Sequence, residues 1–349
     1  MRPAKWPGRI AAAAMCAALV TSAAAQSEPD GLAGLTEPAR TQKLVEGARK
    51  EGALLLYCST PVEDMAPLIA AFEAKHGVRV KLWRGGPEDL LRRGATELRA
   101  GRHEVDVLET NISTVEALRR EGLYRKVISP AQDDIAPAVL YEHREYVGTR
   151  LNIIIAGYNT KLVRKEDLPA SYGELRDPKW KGRLAWEASD YDWFATVARA
   201  MGPDRAIETF RAIASTNGIS VRNGHTLLSN LVAAGETPLS LNVFHYRIEQ
   251  LARQGAPVAP WVIVPAVGRP NGIGVARKAP HPNAALLWYD FMLTDGQAIL
   301  RERDFTPTNQ KVQKLPDMAL SIVDPTQLLD EGDKWSRLFK EIGLTKPAR

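Results

Sequence analysis

From Glu51 onward, short apolar runs alternate with segments whose apolar residues recur at helical spacing. The runs typical of strands are ALLLY (53–57), VRVKLW (78–83) and VDVLE (105–109). The helical segments are PLIAAFEAKHG (67–77), PEDLLRRGATELRAG (87–101) and STVEALRREG (113–122). Strands separated by helices predict a mainly parallel sheet with helices on its faces.

A second series of the same kind begins at LNIIIAGYN (151–159). It contains the strands GRLAWE (182–187) and PLSLNVF (238–244), with helices around them, and ends in the amphipathic helix HPNAALLWYDFMLTDG (281–296). WVIVPAVGRPNGIGVAR (261–277) is interpreted as a strand, a turn at GRPNGIG and a second strand. The tail to Arg349 has a mostly helical, polar pattern. The sequence therefore predicts an α/β protein long enough for two lobes.

The first 25 residues have a different composition. Three basic residues precede an apolar stretch (10–20) and the small-residue sequence Ala23-Ala24-Ala25. This arrangement is typical of a secretory signal peptide (1–25), and the apolar stretch has about half the length that a membrane-spanning helix needs. We expect export to the periplasm, with cleavage near Gln26.

Cysteine content and charge argue against an intramolecular disulfide and against a nucleic-acid partner. Cys16 lies in the predicted signal peptide, so Cys58 would remain as the single cysteine of the exported chain, without an intramolecular disulfide. Loss of the three basic residues of the signal lowers the formal charge from +5 to +2. That balance argues against a nucleic-acid partner.

Polar and aromatic residues gather where the predicted strands end, which is where open α/β sheets bind ligands. A single serine or threonine in such a place is more often a helix cap, so the prediction depends on the recurrence of these residues at successive strands. The candidate ligand-binding residues are Ser59, Thr60, Thr110, Asn111, Arg150, Asp190, Trp193, His225, Asn242, Phe244 and His245.

Catalytic and metal-binding motifs do not stand out. The chain lacks GxSxG, P-loop, HExxH and GxGxxG sequences, and its six histidines do not have the spacing of a zinc site. We therefore predict a protein that is not an enzyme and needs no cofactor or metal. A secreted hydrolase or transferase that uses Glu187, Asp190 or His225 remains an alternative.

The ordered motifs resemble those of a known family. KEGALLLYCSTPVEDMAPLIAAFEAKHGVRV, VDVLET, LRDPKWKGRLAWE and NGIGVARKAPHPNAALLWYDFML are similar to the periplasmic solute-binding proteins of ABC importers, within the type 2 class and its ferric-ion-binding branch. The resemblance implies a monomer with two α/β lobes, two crossovers and a ligand cleft, which delivers a small-molecule ligand to an inner-membrane ABC permease. The expected ranges are 51–147 plus 268–300 for lobe 1, 148–267 for lobe 2, and 301–349 for a C-terminal helical segment that packs on the lobes.

The iron ligands of that branch do not carry over. The resemblance aligns two adjacent tyrosines of the ferric-binding proteins with Phe244 and His245, and aligns a glutamate with Thr110-Asn111. Fe(III) needs several oxyanion ligands, and phenylalanine offers none. We therefore expect a small organic anion or zwitterion whose acidic group pairs with Arg150 and whose amine pairs with Asp190 or Asp192. A ferric chelate with an exogenous anion is the alternative.

Overall fold

The computed structural model describes residues 37–344, so the predicted signal peptide lies outside the described residues. Within this range, no helix combines the length and the apolar character needed to span a membrane. The helices are α1 (Glu37–Glu51), α2 (Val62–His76), α3 (Pro87–Arg99), α4 (Ile112–Arg120), α5 (Tyr191–Met201), α6 (Pro203–Asn217), α7 (His225–Ala234), α8 (His245–Arg253), α9 (Pro282–Leu293), α10 (Asp295–Glu302) and α11 (Pro325–Gly343).

The strands of residues 37–344 form one curled sheet with helices on both faces. They are β1 (Ala53–Cys58), β2 (Arg79–Arg84), β3 (Val107–Asn111), β4 (Val147–Asn159), β5 (Leu184–Glu187), β6 (Ser220–Arg222), β7 (Leu239–Phe244), β8 (Val258–Trp261), β9 (Ala266–Val275), β10 (Thr306–Pro307) and β11 (Leu320–Ile322). The main path through the sheet is β2-β1-β3-β9-β4-β7-β5-β6.

The two outer parts of the sheet are parallel, as the alternating pattern predicts. Strand β1 pairs in parallel with β2 and β3, and β5 pairs in parallel with β6 and β7. We call β1–β3 with α2–α4 the first lobe, and β5–β7 with α5–α8 the second lobe. Between them, the long strands β4 and β9 pair antiparallel and run through both lobes.

The predicted turn at GRPNGIG (268–274) is wrong, because these residues lie within the continuous strand β9. The glycines serve close packing. A Cβ atom at Gly274 would lie 2.5 Å from Tyr124 Cδ1, and one at Gly272 would lie 3.0 Å from Ile112 Cδ1. Glycine therefore lets a helix and a neighbouring aromatic ring approach the strand at this point.

A hydrophobic core lies on each face of the sheet. Alternation along β4 places Ile153 and Ile155 in one core and Ile154 and Ala156 in the other. The first core includes residues of α2 and α9, and the second includes the aromatic side chains of α5, α6 and α11. Each core contains residues of both lobes, so the two lobes share a continuous interior on either side of β4 and β9.

The C-terminal segment contacts both lobes. Strand β11 pairs with β9, and the side chain of Asp324 then accepts hydrogen bonds from the backbone N–H groups of Thr326 and Gln327 at the start of α11. Helix α11 packs on α4 of the first lobe and on α5 and α6 of the second.

Candidate ligand-binding site

Arg150 of β4 is buried in a polar cluster on the first-lobe side. Its Nη1 donates to Glu109 Oε1 at 2.9 Å, its Nη2 donates to Thr60 Oγ1 at 2.9 Å, and Thr60 Oγ1 donates to Glu109 Oε2 at 2.7 Å. Asn271 also donates to Glu109, at 3.2 Å. Arg150 was expected to pair with an acidic group of the ligand; in the structure this side chain is 3% exposed and its guanidinium pairs with Glu109.

The neighbouring residues at the strand ends also bond to one another. Thr110 Oγ1 donates to Ser59 Oγ at 2.9 Å, and Asn111 Oδ1 accepts from the Thr114 N–H at the start of α4. Thr110 is fully buried, and its hydroxyl is held by the bond to Ser59. Asn111 is less buried, and it combines the role of a helix cap with a place at the edge of the cleft.

Cys58 belongs to the same cluster. Its Sγ lies 3.1 Å from Glu109 Oε2, to which the thiol donates. Burial, together with the Glu109 carboxylate, raises the pKa of the Cys58 thiol well above its ordinary value. The thiol therefore stays protonated and is a poor nucleophile, in agreement with the interpretation of Cys58 as a core residue.

Asp190 is the centre of a second polar cluster, at the start of α5. Its Oδ1 accepts from Arg269 Nη2 at 2.6 Å and lies 3.1 Å from His225 Nε2, and its Oδ2 accepts from Asn242 Nδ2 at 2.9 Å. Three predicted residues thus come together, as the recurrence of polar strand ends suggested. Arg269 was not among the candidates, because the surrounding sequence was interpreted as a turn.

The two acidic side chains that share Arg269 titrate differently. Burial by itself raises the pKa of Asp190, but His225 and Arg269 outweigh it and hold this pKa at about 2. Arg269 Nη2 also donates to Asp192 Oδ1 at 2.5 Å. Burial and the nearby Asp190 carboxylate nevertheless raise the pKa of Asp192 above its ordinary value. Asp190 is therefore the stronger acid of the pair.

A series of aromatic ring contacts leads from the second cluster to the first. The rings of His225 and Phe244 stack with centroids 3.8 Å apart, and Tyr246 follows Phe244 at 5.6 Å. Tyr246 then contacts Phe305, whose ring lies 4.6 Å from the guanidinium carbon of Arg150. Phe244 therefore belongs to an aromatic wall between two charged groups.

A cavity of about 430 Å³ lies between the two lobes beside the Asp190 cluster. Asn111 and Ser113 of the first lobe border it, and so do Ser189 and Asp190 of the second lobe and Arg269 of β9. Such a volume suits a small organic molecule.

The sequence matches the model of the bacterial extracellular solute-binding protein family over residues 67–322. The chain belongs to this family. The expected resemblance is therefore confirmed, and the family consists of ligand-binding components that work with ABC permeases.

Individual relatives agree with the family assignment. Iron uptake protein A1 of Synechocystis sp. is 25% identical over 268 residues, which are 72% of this chain and 74% of that protein. Iron-bound HitA from Pseudomonas aeruginosa has a TM-score of 0.71 and 22% identity, covering 84% of this chain and 99% of its own. AfuA from Actinobacillus pleuropneumoniae, with fructose-6-phosphate bound, has a TM-score of 0.67 and 22% identity, covering 83% and 97%. The predicted two-lobed type 2 fold is thus confirmed.

Trp193 and His245, two predicted site residues of this solute-binding protein, contact neighbouring residues of the second lobe. Trp193 is 1% exposed and packs against Trp186, Tyr172 and Phe210 in the aromatic core of this lobe. Its large apolar ring is stabilised there. His245 begins α8, and its Nε2 lies 3.5 Å from Glu249 Oε1 on the same helix.

Among residues 37–344, Glu187, Asp190 and His225 bring possible metal-ligand atoms within 4.8 Å of one another. Hydrogen bonds already use the acidic oxygens. The Glu187 carboxylate accepts from the Ser189 N–H and hydroxyl at 2.7 Å, and from the Gly224 N–H at 2.9 Å. Asp190 is held by Arg269. These hydrogen bonds therefore stabilise the local loop structure. The Asp190 carboxyl, with a pKa of about 2, is too weak a base for general-base chemistry near neutral pH.

Proposed function

We propose that this solute-binding protein is exported to the periplasm, binds a small organic zwitterion between its lobes and delivers it to an ABC permease of the inner membrane. The observation that carries the proposal is the cavity of about 430 Å³, because the first and second lobes and β9 all border it. The lobe boundaries near residues 148 and 268 belong to this proposal, and they are supported by the antiparallel pairing of β4 and β9, the two strands that carry these residues and run through both lobes.

The charges around the cavity favour a zwitterion over a simple anion. The carboxylates of Glu88, Asp89, Asp190 and Asp192 border it together with the single guanidinium of Arg269. An amine would be attracted by the surplus of acidic groups, whereas an unaccompanied anion would be repelled. The Ser113 hydroxyl and the Asn111 amide are the donors for the acidic end of the ligand.

The ligand can be identified by mass spectrometry of small molecules released from the protein purified from its native periplasm. Calorimetry with that molecule then compares Ser113→Ala with Ser171→Ala, where Ser171 is an exposed serine that does not border the cavity. A lost hydrogen bond to a charged group costs about 1.5 to 3 kcal/mol, so Ser113→Ala should weaken binding roughly ten- to hundredfold and Ser171→Ala should have no effect. Equal affinities of the two variants would contradict the cavity assignment.

The same material tests export, oligomeric state and the absence of turnover. N-terminal sequencing should begin at or near Gln26, and size-exclusion chromatography should show a monomer. Incubation with the identified ligand should return it unchanged. Release of a product would favour the secreted hydrolase or transferase instead.

A ferric chelate is the second candidate, because Iron uptake protein A1 is among the relatives. Phe244 and His245 supply no phenolate at the positions where the resemblance places two tyrosines. We expect the unaltered protein to show no tyrosinate-to-iron absorption band when titrated with Fe(III). A strong band, with tight binding of free Fe(III), would establish iron as the ligand. The variant with Tyr at both positions is the positive control.

A further inference from the structure

Helix α11 is anchored in the core of the second lobe. Trp335 and Phe339 are 1% and 2% exposed, and their rings lie 5.8 and 5.6 Å from the ring of Phe194 in α5. Phe339 also packs on Trp186 of β5 at 4.4 Å. Burial of two large aromatic rings makes the C-terminal half of α11 a part of the second lobe.

The first turns of the same helix are bonded to the first lobe through Arg120, the last residue of α4. Arg120 Nη1 donates to Asp330 Oδ1 at 2.6 Å, and its Nη2 donates to the backbone oxygen of Thr326 at 3.1 Å. Its Nε donates to Glu116 Oε1 at 3.0 Å. All three nitrogens of the guanidinium are therefore engaged, and two of the three bonds join different lobes.

Glu116 holds Arg120 in this orientation. It is fully buried and also accepts from Arg119, at 2.7 and 2.9 Å, and from the Tyr146 hydroxyl at 3.0 Å. Burial by itself raises the pKa of Glu116, but these hydrogen bonds outweigh burial and lower it. Glu116 therefore stays charged, and the guanidinium is oriented toward α11 before the two lobes meet.

The contact with Arg120 also places one wall of the ligand cavity. Leu328 and Leu329 border the cavity, and they lie between the two α11 residues that Arg120 binds. We propose that Arg120 and Asp330 form a latch between the lobes that holds this wall in place and slows the release of ligand. Arg120 is then a positioning residue. The inference deepens the proposed function and depends on a ligand in this cavity.

The test of release uses Asp330→Asn, because Asp330 is 56% exposed and its replacement leaves the core intact. Exposed ion pairs contribute little to stability, so we expect the dissociation rate of the ligand found in the periplasmic protein to rise roughly two- to fivefold. The association rate should change less, and Asp330→Glu should restore slow release.

Glu341→Gln is the matched control. Glu341 lies on α11, as Asp330 does, and pairs with Arg211 at 2.8 Å. Arg211, however, belongs to the second lobe. This variant removes an exposed ion pair of α11 without touching the contact between lobes, so release should keep its original rate. Equal dissociation rates in Asp330→Asn and the unaltered protein, or equal acceleration in both variants, would overturn the latch.

A measurement of lobe opening without ligand tests the latch independently of the proposed function. Spin labels on cysteines introduced at the exposed positions Lys81 and Asp204 report the distance between the lobes, and the native Cys58 is buried. We expect Asp330→Asn to shift the distance distribution toward longer values. An unchanged distribution would refute the latch even if the cavity binds its ligand. A shift combined with no effect of Ser113→Ala on binding would support the latch and contradict the cavity assignment.

Discussion

Asp190→Asn should lower the stability of the protein by an amount that the structure allows us to estimate. The Asp190 carboxyl has an ordinary pKa of 3.8 and a pKa of about 2 in the fold, because His225 and Arg269 outweigh the effect of burial. This difference corresponds to about 2 kcal/mol of stabilisation of the charged form. Asparagine removes the charge. At the position of Asp190 Oδ2, which accepts from Asn242, it can place an NH2 group that cannot accept a hydrogen bond.

The effect has a defined pH dependence. The pKa of Asp190 is lower in the folded protein than in the unfolded chain, so its contribution is complete above about pH 4 and is lost as the pH falls through about 2. Urea unfolding, followed by tryptophan fluorescence, should therefore show a difference of about 2 kcal/mol between the unaltered protein and Asp190→Asn at pH 7. The difference should shrink steadily as the pH is lowered below 4.

Asp192→Asn is the matched control, since Asp192 shares Arg269 and lies two residues away. Its pKa is raised by burial and by Asp190, so its charged form is not stabilised by the fold. We expect Asp192→Asn to lower the free energy of unfolding much less than Asp190→Asn. Equal losses from the two substitutions, or an unchanged stability of Asp190→Asn at pH 7, would refute the reasoning.

Two further predictions concern other buried groups. Arg150→Ala should destabilise the protein by about 3 to 5 kcal/mol by leaving the Glu109 charge unpaired, and the double variant with Glu109→Ala should recover part of this loss in urea unfolding. Burial and Arg119 lower the pKa of His143 to about 4, so the fold loses stability as the unfolded chain takes up a proton between about pH 6.5 and 4. In His143→Asn this part of the pH dependence should be absent, and an identical profile would contradict the assignment.

The alternation of strands and helices could be predicted because it depends on local hydrophobic spacing. The pattern of PLSLNVF predicted β7 correctly, and polar residues at strand ends marked Asp190, His225 and Asn242 as candidates, which the fold brings together. The interpretation of GRPNGIG was wrong because glycine and proline favour turns locally. Contacts with Tyr124 and Ile112, which are distant in sequence, instead require small residues in a strand.

The sequence by itself determined the α/β class, the resemblance to solute-binding proteins and several residues of the second-lobe cluster. Only the tertiary structure decided which charged side chains pair with one another. The pairing of β3 with β9 and of β9 with β4 brings Glu109, Asn271 and Arg150 together from distant parts of the chain. Arg269 reaches Asp190 by the same long-range register. Hydrophobic periodicity specifies which face a side chain occupies, but the neighbour across the sheet depends on strand order, which local spacing does not encode.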